Sequence, residues 1–387
     1  MILSSDDFIR ALNRQQKQVS IKLELYDSND NFIREITQSV NKDSAGSISV
    51  DSERDIRRSF SFSLVNKNNE YTYGTDKLVW LDKRVKLYIG LKLLNGTTEY
   101  VPQGYFIVTS PSTSHDTGGS ITNLTGQDKA YLYTGNLGKF IYQTKIATGL
   151  KITEAIKIIA PSEKWLNFDD ITDVVPYELT YEPNSNKWEA MKQLAELAKC
   201  AIYYDVNGYL RLKKIELENF QNQSTVWNFT VGDRFYAGNV RTLQDENLYN
   251  HVIVLGGGSQ TAVVSKEIKV TETNPKWKDN PYRIEKIGWR PKWHNEGTAD
   301  PIITTDDLAL WRAKWMLMKY LGYVDSVQMP ISPHYLLDAD DIINIEDPVN
   351  GVTGRHMIKS LDIPLSPALM TVNCSKENKF ITDWNFM

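Results

Sequence analysis

Residues Trp188 to Leu212 read Trp-Glu-Ala-Met-Lys-Gln-Leu-Ala-Glu-Leu-Ala-Lys-Cys-Ala-Ile-Tyr-Tyr-Asp-Val-Asn-Gly-Tyr-Leu-Arg-Leu. The spacing predicts a helix that runs straight into a tight hairpin. Trp188, Met191, Ala195 and Ala198 recur at helical intervals, Leu194 and Leu197 widen the stripe, and Glu189, Lys192, Glu196 and Lys199 take the opposite side. From Ala201 to Tyr204 the residues become strand-like. Asp205-Val206-Asn207-Gly208 then supplies a turn, with Asp205 accepting from the backbone ahead and Gly208 free to take positive φ. Leu210 and Leu212 return on one face. The segment is a packing module, and no residue in it has the setting of a catalyst.

On either side of this module the chain is rich in strands. Before it, Phe8, Ile9 and Leu12 mark a short amphipathic helix. Val19, Ile21, Leu23 and Leu25 then alternate with polar residues, as do Ile48 and Val50, Phe60 to Leu64, and Val85 to Ile89. Gly104-Tyr-Phe-Ile-Val and Ser120 to Thr125 bring the total to six or seven strands in a sandwich or small barrel, ending near Asp128. Ile152 to Ala160 reads as a helix capped by Thr153 or a neighbour and stopped by Pro161. After about residue 240 come a buried strand, Asn250 to Leu255, and a Trp- and Pro-rich stretch from 275 to 301 read as a long ordered loop. A strong helix follows from Thr305 to Leu321, with Leu308, Trp311, Trp315, Met318 and Leu321 on its apolar face and Gly322 at its end. Strands at 323–329, 342–345, 356–361 and 368–374 close the chain. The predicted fold class is β-rich α+β and multidomain: an N-terminal β-barrel-like domain over 1–148, an α+β domain over 149–238, and a second β-barrel-like domain carrying the long helix over 239–387. No residue-level repeat relates the first region to the third.

Composition narrows the function. In 387 residues, 41% hydrophobic and 24% charged is ordinary for a globular chain, so disorder is not expected. The 20 Tyr, 12 Phe and 10 Trp suit sheets and wide interfaces. A net charge of −4, with no basic stripe, argues against a protein built to neutralise phosphates. The only dense basic cluster, Arg54, Arg57 and Arg58, reads as the flank of a strand. Cys200 and Cys374 are expected as reduced core residues. The N-terminus lacks the charged and apolar regions of a secretion signal, and no stretch approaches the roughly 20 apolar residues of a membrane span, so synthesis and assembly in a cytosol are expected.

No motif carries chemistry. Gly256-Gly-Gly-Ser-Gln-Thr lacks the Gly-Lys-Ser/Thr ending of a phosphate loop and reads as a strand-end turn. Asp338, Asp340 and Asp341 lack the glycine and glutamate of a calcium loop and read as a polar turn. His115, His251, His294, His334 and His356 have no metal spacing. Trp277, Trp289, Trp293 and Tyr282 allow two readings, a stacking platform for glycan or single strands, or an anchored loop or subunit interface. The latter is preferred. No catalytic, cofactor or metal residue is assigned.

Several landmarks stand in the order found in one family. Gly104 and Phe106 lead through a Gly-Gly turn to Asp128. Trp188 opens the helix before the Asp205, Asn207 and Gly208 hairpin. Asn250 begins a buried strand, Trp311 and Trp315 lie on the late helix, and Pro364 sits in a terminal Asp-Ile-Pro-Leu-Ser-Pro run. In this the chain resembles the tail hub, or baseplate hub, proteins of tailed bacteriophages, a fold that also forms the N-terminal part of tail-associated lysins. The resemblance implies a non-enzymatic virion protein: a homotrimeric ring in which two barrel-like domains per chain imitate six subunits. That ring would close the distal end of the tail tube and connect it to a spike, fibre or lysin. Implied partners are the tail tube or distal tail protein, tip proteins and the tape measure, with DNA passing through unbound. The chain stops at Met387 without a hydrolase motif, so lytic activity is not carried over. The alternatives are a cell-wall hydrolase or a carbohydrate-binding tail adhesin.

Overall fold

A computed structural model describes residues 1–37, 46–215, 217, 223–257, 263–275, 277–322 and 324–377. The strands, in chain order, are β1 Val19–Tyr26, β2 Phe32–Ile36, β3 Gly46–Asp51, β4 Arg58–Val65, β5 Arg84–Lys92, β6 Thr98–Val108, β7 Ser112–Asp116 and β8 Gly119–Asp128. The middle of the chain holds β9 Thr144–Ile146, β10 Leu166–Phe168, β11 Leu179–Tyr181, β12 Cys200–Tyr204 and β13 Leu210–Lys214. The last part holds β14 Trp227–Thr230, β15 Val240–Leu243, β16 His251–Gly256, β17 Val264–Lys269, β18 Pro291–Trp293, β19 Asp325–Ile331, β20 Ile342–Asp347, β21 Val352–Pro364 and β22 Met370–Lys376. Helices are α1 Asp6–Leu12, α2 Ile152–Ile159, α3 Lys187–Leu197, α4 Ile284–Ile287 and α5 Asp306–Gly322.

The fold is β-rich with few helices, and its frame is one 14-stranded, mainly antiparallel sheet. Alternation in the sequence decides which side of each strand is buried: Phe60, Phe62 and Leu64 on β4 and Val85, Leu87 and Ile89 on β5 point inward. The sheet runs β3-β4-β8-β6-β5-β1 in its N-terminal half and β15-β19-β22-β21-β20-β14 in its C-terminal half. With β2 and β7 set aside and the other six strands of each half ranked by position in the chain, both halves follow the order second-third-sixth-fifth-fourth-first. This is an internal structural repeat that the residues themselves do not reveal. The halves differ at the first strand, since β1 lies antiparallel to β5 whereas β14 lies parallel to β20. The halves join through β3 and β21, with Ser47 to Asp51 antiparallel to Pro364 to Ser360, and one hydrophobic cluster runs through both.

Two further clusters lie outside that sheet. One, from Ala130 to Leu212, stands between the halves in sequence and packs α3 on the β12–β13 hairpin and α2 against α3. The other packs α5 on β16 and β17, and its chain leaves the large sheet after β15 and returns at β19. Three sequence expectations need correction. The cap of α2 is Lys151, without a side-chain bond, and Thr153 lies inside the helix. The 275–301 stretch is not a plain loop: it contains α4, a 3-10 turn over His294–Gly297, and β18, which pairs parallel with β16. Trp277 is buried in the core, so it belongs to no surface platform. Of the glycine run, positions 258–261 lie outside the described residues, as does Tyr323.

Candidate functional site

The sequence landmarks divide into positions that hold units together. Asn186, which the sequence reading passed over, caps α3 by accepting from the backbone N–H of Trp188 and Glu189 at 2.9 and 3.2 Å. Trp188 is buried and stacks on Tyr204, ring centroids 6.1 Å apart. Asp205 Oδ1 accepts from Asn207 N and Tyr209 N, and Gly208 at φ 83° closes the turn. A Cβ on Gly208 would stand 2.8 Å from Tyr105 Cβ, so the hairpin tip lies flush on β6. Gly104 serves a similar end: a Cβ there would meet the Phe106 ring, which packs on Phe60 at 4.7 Å. The strand is bulged beside it, and Gln103 reaches across to the Tyr335 carbonyl at 2.9 Å.

Below that tip lies a buried ionic cluster. Lys129 Nζ stands 2.7 Å from Glu163 and 3.6 Å from Asp30, over the Trp165 ring. Tyr204 donates to Glu163 at 2.8 Å, Tyr105 donates to Asp30 at 2.6 Å, and Arg84 also pairs with Asp30. These contacts tie the N-terminal half of the sheet to the middle unit. Asp128, beside them, accepts from Arg58 N and Ala130 N and starts the 3-10 turn Lys129–Tyr133. Burial pushes its carboxyl up to about 6, against those bonds.

A cleft of about 420 Å³ opens where all the units meet. Arg57, Tyr203, Trp315, Lys319, Asp340 and Lys359 are among its walls. The Arg57 guanidinium lies 4.6 Å over Tyr203 and 2.8 Å from Asp340. Arg58 pairs with Asp338, and Asp341 pairs with the N-terminal ammonium. Two arginines of the basic cluster, Arg57 and Arg58, and two carboxylates of the acidic turn, Asp340 and Asp338, are therefore each other's counter-charges. Lys319 meets Glu53 at 2.5 Å, joining α5 to the β3–β4 turn. Trp311 and Trp315 stack at 6.5 Å, the first in the core and the second facing this cleft. Asn250 staples the 280–290 stretch: it donates to the Tyr282 and Gly288 carbonyls and accepts from Arg290 N. Pro364 ends β21 opposite Ser47, at the joint between the halves.

The chemistry available here is cohesion. Burial pushes the Cys200 thiol up to about 12 and Cys374 higher, so both stay protonated. His334 and His356 are buried, and burial drives them down to about 3 and about 4. His251 and His294 each face one carboxylate, Glu267 and Asp300, at 2.8 and 2.7 Å. Among the described residues no three His, Cys, Asp or Glu side chains gather as a metal site, and no helix is long and apolar enough to cross a membrane. Of the aromatic stretch, Trp289 and Trp293 are exposed, with Lys269 beside the Trp289 ring.

No protein-family model and no curated protein matches the chain in sequence. Solved structures do. The tail protein from Neisseria meningitidis MC58 superposes with a TM-score of 0.64 at 13% identity, over 94% of this chain and 98% of that one. The 43 kDa tail protein of prophage MuSo2 from Shewanella oneidensis gives 0.62 at 12% identity, over 94% and 99%. The prophage tail protein gp18 from Listeria monocytogenes EGD-e gives 0.55 at 12%, over 94% and 98%. The chain therefore has the fold of phage tail proteins over 94% of its length.

Proposed function

We propose that this chain is a structural hub of a phage tail or baseplate: a homotrimeric ring that closes the distal end of the tail tube and carries the tip. The observation that carries this reading is the strand order repeated within one continuous sheet. Two like halves per chain give three copies six similar sectors, which can join a six-fold tube to a three-fold tip. On this reading the two halves are barrel-like domains, the unit of α2 and α3 hangs between them, and the unit of α5 is borne on the second. Partners are the tail tube or distal tail protein above, the tape measure, and a spike, fibre or lysin below. DNA passes through unbound, in keeping with the mild net negative charge. The protein works as a virion part rather than an enzyme, its charged groups being spent on holding units together.

Native mass measurement with low-resolution imaging tests this. A three-chain ring with a central hole is expected, and a strict monomer even beside tail partners would overturn it. A second reading, glycan binding by an adhesin, draws on the exposed indoles of Trp289 and Trp293. Binding of cell-wall polysaccharide that is lost on Trp289→Ala with Trp293→Ala would favour it. Clearing on a zymogram of cell walls would instead point to a hydrolase.

A further inference from the structure

The joint between the halves is made by the second strand of the first repeat, β3, and the fifth strand of the second, β21. The repeat therefore leaves a matching pair of edges: the second strand of the second repeat, β15, and the fifth of the first. Among the described residues β15 pairs with β19 alone, and its Val240 and Leu243 are exposed at 60% and 65%. The fifth strand of the second repeat continues past a register shift at Ile358 to Ser360 and then forms the joint. Its counterpart β6 ends at Val108, and the chain resumes on the same side of β8 as β7, which among the described residues pairs with β8 alone.

Side chains fix the equivalence. Ser63 bonds Asn123 at 2.7 Å in the first repeat, and Gln328 bonds Asn373 at 3.1 Å in the second. Asn123 lies opposite Ser112, and Asn373 lies opposite Ser360. Ser112 to Asp116 thus corresponds to Ser360 to Pro364. By the same register, Ile48, opposite Phe60, corresponds to Leu243, opposite Asp325.

We infer that copies of this chain join by strand addition, the free edge of β15 on one copy pairing antiparallel with the free edge of β7 on the next. This repeats between chains the joint that β3 and β21 make within one. Within the chain Ile48 faces Ile363, so between chains Leu243 faces His115 and Thr242 faces Asp116. The contact joins two different patches, so it propagates in one rotational sense, and it closes as a three-chain ring where the rotation is a third of a turn. It also disposes of an open apolar strand edge, which natural sheets seldom leave bare. The inference rests on the ring reading for the identity of the partner, while its geometry comes from the repeat.

Paired cysteines test it in the full chain. Facing residues of an antiparallel pair have Cα atoms about 4.5–5.5 Å apart, within disulfide reach. Leu243→Cys combined with His115→Cys, mildly oxidised and quenched, is expected to give a covalent ladder that ends at three chains. Each single variant should stay unlinked, and so should the displaced pair Leu243→Cys with Thr113→Cys. Thr242→Cys with Asp116→Cys is a second in-register pair should the first perturb the edge. Both sites are exposed, and circular dichroism checks that each variant is folded. A native trimer in which neither in-register pair links would overturn this joint and leave the ring reading standing. A ladder running past three chains would keep the joint and overturn the ring. A monomer that does not link would overturn both.

Discussion

Lys129 shows what a single residue does in this molecule. Its ammonium is enclosed by Glu163, Asp30 and the Trp165 ring, at the seam between the large sheet and the middle unit. Removing one partner of a buried pair strands the other's charge, at a cost of about 3–5 kcal/mol. Lys129→Ala should lose stability on that scale in denaturant unfolding. Lys129→Met with Glu163→Gln should recover most of it, because the Gln oxygen still accepts from Trp165 N, its amide can donate to a turned Tyr204 hydroxyl, and Arg84 continues to neutralise Asp30. A double variant as unstable as the single would show that packing, not charge, holds the seam.

His334 acts at the same scale but through pH. Among the described residues neither ring nitrogen has a hydrogen-bond partner, and Trp227 and Phe235 meet the ring edge-on at 4.3 and 5.4 Å. Burial lowers it from the ordinary 6.5 to about 3, so the folded state refuses a proton that the unfolded state accepts. Its stabilising contribution is present above pH 6.5 and is lost as pH falls toward 3. Between pH 6.5 and pH 5 that loss is about 2 kcal/mol. His334→Phe should roughly halve the slope over this window relative to the parent, because the variant still carries His356, whose like effect is nearly equal above pH 5. Equal slopes would refute the assignment. Nothing in the sequence pointed to this residue, because burial of a histidine is decided by strands that are distant in the chain.

Among elements, the helix and hairpin from Trp188 to Leu212 were the most legible. Local pattern alone determines a helical stripe and a positive-φ turn, and these are found, with the Asn186 cap to add. What the pattern could not give is where the tip goes. Gly208 is needed twice, for its φ and for contact with Tyr105. Gly208→Ala should cost more than the roughly 1 kcal/mol of a simple positive-φ penalty. The hairpin should lose amide-exchange protection before the rest of the middle unit. A cost no larger than that of a freely exposed turn would mean that the tip is not seated on β6. The same limit explains the 275–301 stretch. β18 is only three residues long and is held by a parallel partner about 40 residues away, so no local period announces it.

On the scale of the whole molecule, the strands were legible one by one while their order was not. Alternation shows which residues face inward but says nothing about which strand lies beside which, and the two halves differ too much in side chains for the repeat to appear in sequence. The acidic turn and the arginines were likewise read apart because about 280 residues separate them. The repeat also says which parts are additions. In the first half the link from β3 to β4 is the short turn from Ser52 to Arg57, whereas in the second the chain from Gln244 to Val324 builds a unit with its own core. Its ends lie together, with Leu243 opposite Asp325 and Gln244 N donating to the Val324 carbonyl at 2.8 Å. Replacing residues 246–322 by Asn-Gly should therefore leave a two-residue hairpin link and a folded large sheet, as β3–β4 already demonstrates on the other side. Ion pairs from α5 to Glu196 and Glu53 would be lost, but these are partly exposed and contribute about 1 kcal/mol or less each. The shortened chain should keep its strand circular dichroism and a cooperative melt, and it should form rings of the same symmetry, since neither β15 nor β7 is removed. A soluble but molten product would mean that the two halves depend on the inserted unit to fold, and that the repeat is not the autonomous frame of the molecule.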